Sequence, residues 1–189
     1  HNALSQATTQ YIQDNLGDVM YWNVSHITDF SELFEGSDGY NFDLSRWDTS
    51  SVLSMFALCA DAINFTANIS TWDTSNVTNM SRVFINATGD FSIDISNWKT
   101  GNVTDMSYMF SDCSVINPYL NLNSWNVSAV EDMTEMFGYT QFNGDISNWT
   151  VSSVKYMKYM FRGTTAFNGD ISGWNVSNVI DMHGMFQNA

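Results

Sequence analysis

Proline occurs once in these 189 residues, at Pro118, and cysteine twice, at Cys59 and Cys113. Positive charge is scarce too: 6 Lys and Arg stand against 20 Asp and Glu, a formal net charge of −14. Such an excess of carboxylates repels nucleic acid and anionic lipid, so neither is expected as a partner. No run approaches the roughly 18 apolar residues of a spanning helix, and membrane insertion is not expected. No basic-then-apolar signal segment opens the chain. It begins at His1 rather than Met, which suggests a processed, trimmed or partially built chain and leaves room for a removed secretory signal. With His1, His26 and His183 as the only histidines, no paired His spacing or Cys-His cluster can be drawn, so no zinc or nucleophile set is expected.

Apolar side chains are plentiful. Hydrophobic residues make up 44% of the chain and aromatics 15%, enough for a sizeable core. All seven tryptophans, Trp22, Trp47, Trp72, Trp98, Trp125, Trp149 and Trp174, fall on one ladder with spacings of 25, 25, 26, 27, 24 and 25. A fixed period of this length marks a unit that cannot bury its own apolar face and stacks on copies of itself. Five residues after each Trp stands Ile27, Val52, Val77, Val103, Val130, Val154 or Val179. Position +8 is Phe30 and then Met55, Met80, Met106, Met133, Met157 and Met182; position +12 is Phe, with Cys59 the exception. The three-and-four spacing predicts one short helix per repeat. Three residues before the Trp, Leu44, Ile69, Ile95, Leu122, Ile146 and Ile171 lie between polar neighbours, as in a short strand.

The fifth rung, "SVINPYLNLNSW" from Ser114 to Trp125, is 27 residues long and holds Pro118, so a local bulge is expected there, with Tyr119 and Leu120 near the missing aromatic. Ahead of the first rung, Leu4, Ala7 and Tyr11 share one helical face with Gly17 as a stop. The expected organisation is a helical cap over residues 1–19 and repeats over 20–189. The chain closes at "MFQNA" without a polar capping repeat, so either it is truncated or something covers the last rung.

The rung "FNGDIS-x-W-x-VS-x-V-x-x-M-x-x-MF" resembles the repeat of BspA-like leucine-rich-repeat surface proteins over about residues 20 to 189. With the period, the resemblance implies an α/β, right-handed leucine-rich-repeat solenoid of about seven 24–27-residue repeats, one short parallel strand and one short helix in each. It also implies an extracellular or cell-surface location with adhesive or matrix roles, and brings no catalytic residue.

Cys59 and Cys113 sit in columns two rungs apart, about 9 to 10 Å, beyond the roughly 7 Å limit for bridged Cα atoms. Two buried thiols are expected. The Asp columns, Asp43, Asp94, Asp145 and Asp170 before the strand and Asp29, Asp105, Asp132 and Asp181 after the Trp, are read as acceptors for backbone N–H groups in preference to a calcium string. No metal and no cofactor is expected.

Ten Asn-x-Ser/Thr sequons stand out against roughly four expected by chance from this composition. Asn64, Asn76, Asn86, Asn102 and Asn148 occupy variable turns or mixed, outward columns and are the first acceptor candidates for N-glycans. Asn23, Asn126 and Asn175 share a polar column and come next; Asn68 and Asn79 stand in the Asp columns and come last. No acid, base, nucleophile or metal set recurs in convergent positions, so an enzyme is not expected. The leading expectation is an extracellular structural glycoprotein that stacks head to tail into a homopolymer, Met182, Met185 and Phe186 of one copy docking on Leu4, Ala7 and Tyr11 of the next. The alternative is a surface adhesin that binds a protein or glycan on one face of the repeats.

Overall fold

The computed structural model describes residues 18–89, 94–114 and 116–189. The rungs stack in parallel, but the elements expected within each rung do not form. The only helical segment among the described residues is the 3-10 turn Val19–Tyr21, and no β-strand is present among them. In place of a sheet, single parallel bridges connect successive rungs. One column of them runs from Asp29 through Ser54, Asn79, Asp105, Asp132 and Tyr156 to Asp181. The α/β leucine-rich-repeat architecture with strand plus helix is therefore corrected to a stack of turn-built rungs. The helix expected over Leu4, Ala7 and Tyr11 lies outside the described residues.

The backbone of the expected helix shows why it is absent. Counting from each Trp, positions +10 and +14 have positive φ in all seven rungs: Glu32, Ala57, Arg82, Tyr108, Glu135, Tyr159 and Gly184, then Gly36, Asp61, Asn86, Asp112, Tyr139, Gly163 and Asn188. A right-handed helix cannot contain such residues. Even-numbered positions donate to the next rung: Phe30 N–H to Ser54 O, Glu32 N–H to Phe56 O, Phe34 N–H to Leu58 O and Gly36 N–H to Ala60 O, at 2.8 to 2.9 Å. The intervening N–H groups of Leu33, Glu35 and Ser37 close turns onto the carbonyls three residues back. Each pair of turns repeats after four residues. That period returns +8 and +12 to the core side, and it is too close to the helical 3.6 for the sequence spacing to separate them.

Strands fail for a related reason. Asp or Asn side chains at three places in the rung capture the N–H two residues on, as in Asp43 to Ser45 (2.9 Å), Asp48 to Ser50 (3.1 Å) and Asp105 to Ser107 (2.9 Å). These Asx turns break the extended run before a ladder can lengthen. The Asp columns thus act as backbone acceptors, at turns and not at helix starts.

Tryptophan ties the rungs together. Each indole from Trp47 to Trp174 donates its Nε1–H to the carbonyl three residues before the preceding Trp. The six bonds run from Trp47 to Val19, Trp72 to Leu44, Trp98 to Ile69, Trp125 to Ile95, Trp149 to Leu122 and Trp174 to Ile146, at 2.9 to 3.4 Å. The same carbonyls accept the backbone N–H of their own rung's Trp, for example Trp149 N–H to Ile146 O at 3.1 Å. Beside the indoles, Phe84, Phe110, Phe137, Phe161 and Phe186 form a continuous stack with centroids 5.6 to 5.7 Å apart. Cys59 and Cys113 are buried thiols, not a disulfide, and burial, with Cys113 second, pushes the Cys59 thiol well above its ordinary value.

Replacing Trp149 by Phe keeps a ring in the stack but removes the indole donor to Leu122, and is expected to cost about 1 to 2 kcal/mol. Trp149→Ala adds a cavity and should cost about 3 to 5 kcal/mol. Denaturant unfolding of the two variants checks the ordering, and equal losses would mean that the indole bond contributes nothing beyond packing.

The Asx turns also set an acid limit. The hydroxyl and then the backbone N–H of the serine two residues on hold Asp29, Asp43, Asp48, Asp73 and Asp94 below the ordinary carboxylate range. For Asp145 and Asp170 the N–H is the larger cause. A carboxylate with a lowered folded pKa contributes stability that is fully present above about pH 4 and is lost as pH falls through the lowered value. Unfolding midpoints should therefore stay level from neutral pH to about 5 and drop below about 4. A rise in acid would mean that discharging the −14 surface outweighs the turns.

Candidate functional site

Because the inward columns are filled by core, any function lies on outward positions. Nine of the ten sequon asparagines are exposed and Asn79 is half-buried. Their side chains fall into distinct geometries. In Asn23, Asn68 and Asn79, Oδ1 accepts both the N–H and the hydroxyl of the sequon's own serine. In Asn126 and Asn175 it accepts the N–H of Ser128 and Ser177, each at 3.1 Å. In this set the amide nitrogen, the atom that a glycan would take, points away from the turn bond. Asn76 and Asn102 instead use Nδ2 to reach the carbonyls of Ser50 (2.8 Å) and Ser75 (2.7 Å) in the rung before. Asn86 donates to the Asp61 carboxylate at 2.9 Å. Asn64 lies against Gly89, whose missing Cβ makes room for its side chain. The Asn148 side chain makes no hydrogen bond among the described residues; its backbone N–H donates to Asn123 Oδ1 at 3.1 Å.

The residues expected to make an assembly contact divide in the same way. Met182 and Phe186 are 42% and 48% exposed, while Met185 is buried. Val176 joins the exposed pair on the seventh rung, and the counterparts of all three, at +2, +8 and +12, are buried in the six rungs before it, whereas Ile180 (71%) stands in the +6 column, which is exposed in every rung. Leu4, Ala7 and Tyr11 lie outside the described residues.

Two features escaped the sequence reading. The first is an outward ladder of tyrosines at the positive-φ positions. Arg82 lies over Tyr108 at 5.3 Å, and Arg162 sits between Tyr139 (5.2 Å) and Tyr159 (4.8 Å). The Tyr139 and Tyr159 rings cover Gly163 and Gly184 of the next rung, where a Cβ would enter the ring. The apolar spacing at +5, +8 and +12 carries no sign of these rings, because nothing in it marks +10 and +14 as positive-φ positions.

The second feature belongs to the irregular fifth rung. Pro118 takes the column that is Tyr40, Phe65, Phe142 and Phe167 elsewhere, and Leu120 packs against the core. Tyr119 turns outward and is 75% exposed. Its turn is held by Asn117, whose Oδ1 accepts Tyr119 N–H at 2.9 Å, and Pro118 O accepts Asn143 N–H from the next rung. Tyr119, Asn121, Asn123, Ser124, Asp145 and Asn148 line an open groove of about 490 Å³. Ser124 also borders a second hollow of about 440 Å³ with Ser96, Asn97, Lys99 and Asn126. Asn123 braces the groove: its Nδ2 donates to Asp145 Oδ2 at 2.8 Å while its Oδ1 holds the Asn148 N–H.

Residues 2–122 and 117–189 match the family described as "Mycoplasma protein of unknown function, DUF285". The chain belongs to the DUF285 family. The two matched stretches meet at residues 117–122, within the irregular rung that carries Pro118 and Tyr119. No curated protein and no solved structure matches the chain. Among the described residues of this DUF285 protein, no three His, Cys, Asp or Glu side chains come together as a metal site, and no helix is long and apolar enough to cross a membrane.

Proposed function

We propose that this protein is a non-enzymatic scaffold outside the cell, which assembles by stacking the exposed face of its seventh rung on the first rung of another copy. The observation that carries this reading is the apolar face of Val176, Met182 and Phe186. In the six preceding rungs the positions of Met182 and Phe186 are covered by the next layer. The first rung offers Ile27 and Leu33, exposed at 44% and 41% in columns that are buried in the next five rungs, as an apolar counterpart. A contact between unlike ends does not close on itself and so extends into a filament. The extracellular part of the reading is supported by the exposed sequons and by the resemblance of the rung to BspA-like surface repeats. A second reading, adhesion through the side of the stack, is favoured by the groove at Tyr119.

Sedimentation velocity over a range of concentrations tests the stacking. The unmodified chain is expected to form a concentration-dependent series of species, and Met182→Asp or Phe186→Asp to collapse it to monomer. A chain that stays monomeric at about 100 μM, a level well above micromolar affinities, would overturn the stacking reading.

The glycoprotein part has its own test in glycopeptide mapping of the protein from its natural source. Glycan mass on peptides that carry the exposed sequons outside the Tyr119 groove, Asn64, Asn76, Asn86 and Asn102, is expected. Peptides of bare mass at all four would overturn the glycoprotein reading.

A further inference from the structure

Among the outward features, the groove of the fifth rung departs furthest from the repeat. Six residues before Trp125, where the other described rungs place Asn41, Thr66, Asn143 and Asn168, stands Tyr119. An aromatic ring in a column of short polar side chains, 75% exposed and set on a turn braced by Asn117, has no packing role to explain it. Around it converge groups with unused capacity. The Asn148 amide makes no hydrogen bond among the described residues, and Asn121 uses only its Oδ1, toward Asn123 N–H at 3.2 Å. The Asp145 carboxylate, bonded by Ser147 N–H at 2.9 Å and by Asn123, supplies further acceptor lone pairs. No Lys, Arg or His lines the groove. A phosphate, sulfate or acidic glycan would meet Asp145 with no cation to offset it.

We propose that this groove binds a neutral carbohydrate, the Tyr119 ring supporting the C–H face of a pyranose while Asn121, Asn148 and Asp145 meet its hydroxyls. The match is chemical. A sugar hydroxyl both donates and accepts; the amides offer both functions and the carboxylate accepts. One face of the ring is apolar enough to lie on an aromatic surface. The bracing by Asn123 places Asp145 and Asn148 before the ligand arrives, which lowers the cost of ordering them. The shallow, open shape points to an affinity on the order of 1 mM for a single sugar, raised by repetition where copies stack. The inference deepens the adhesion reading and rests on it; it is independent of whether copies self-associate.

Saturation-transfer NMR with methyl glucoside, methyl galactoside, methyl mannoside and N-acetylglucosamine, each at about 10 mM given that affinity, tests it. Transfer to ring protons of at least one sugar is expected. It should be lost at least tenfold in Tyr119→Ala and Asp145→Asn, kept in Tyr21→Ala, and unchanged by added salt. Both tyrosines are exposed, so neither substitution removes core packing. No transfer from any of the four, transfer that persists in Tyr119→Ala, or an N-glycan mapped to Asn148 that already fills the groove would each overturn the assignment. A sugar-negative protein that still sediments as a stacked series would remove this site and leave the scaffold reading in place.

Discussion

The stack depends on one recurring bond, the indole N–H of each Trp to the carbonyl three residues before the preceding Trp. That carbonyl is shared: it accepts the backbone N–H of its own rung's Trp and the indole of the next. A buried indole needs a partner, and here the partner is main chain. The distance between rungs and the register of the Trp column are thereby set together. Rungs of 24 to 27 residues are tolerated because the extra length is taken up in the outer turns, while Trp and its acceptor keep their relation. The Trp125 to Ile95 bond, at 3.2 Å across the longest interval, survives an insertion that displaces Pro118 and Tyr119.

Around that axis the backbone is satisfied between rungs more than within them. Fourteen positions at +10 and +14 have positive φ, and only Gly36, Gly163 and Gly184 among them are glycine. A left-handed residue with a side chain costs roughly 1 to 2 kcal/mol, so these turns would not hold in isolation. In the first six rungs they persist because the N–H of each such residue is bonded to the next rung, and because rings such as Tyr139 and Tyr159 lie across neighbouring glycines. The strain sits on the outside of the stack, where it projects side chains away from the core and gives the surface its tyrosine and arginine ladder.

The outward surface is made almost wholly of short polar side chains that already have structural work. Ser51, Asn76, Asn102, Ser153 and Asn178 each donate to a carbonyl of the rung before. Buried Thr49, Thr74 and Thr100 donate to the rung after. A sequon in such a setting has two meanings, acceptor for a sugar and bridge between layers. The geometry separates Asn76 and Asn102, which bridge, from Asn23 and Asn126, which turn. The ordering by column mixing did not see this, because an amide that faces outward can still reach one rung back.

The repeat, its period, the inward columns and the irregular rung were all legible in the chain alone, since a recurring Trp with Val five residues on and Met eight residues on records burial directly. Even the role of the Asp columns was legible, because a short carboxylate beside a serine has few uses other than a turn. The helix and the strand were not. A four-residue turn and a 3.6-residue helix place +8 and +12 on the same side, and only the sign of φ at +10 and +14 distinguishes them. That sign is chosen by hydrogen bonds to residues about 24 positions away. Tyr119 shows the same limit, for only the structure sets its ring outward, beside a Pro118 that stands in the aromatic column. The sequence by itself determined which side chains are buried and how often; the tertiary structure decided the backbone path between them, because in this stack the partners of each peptide group belong to the neighbouring rungs.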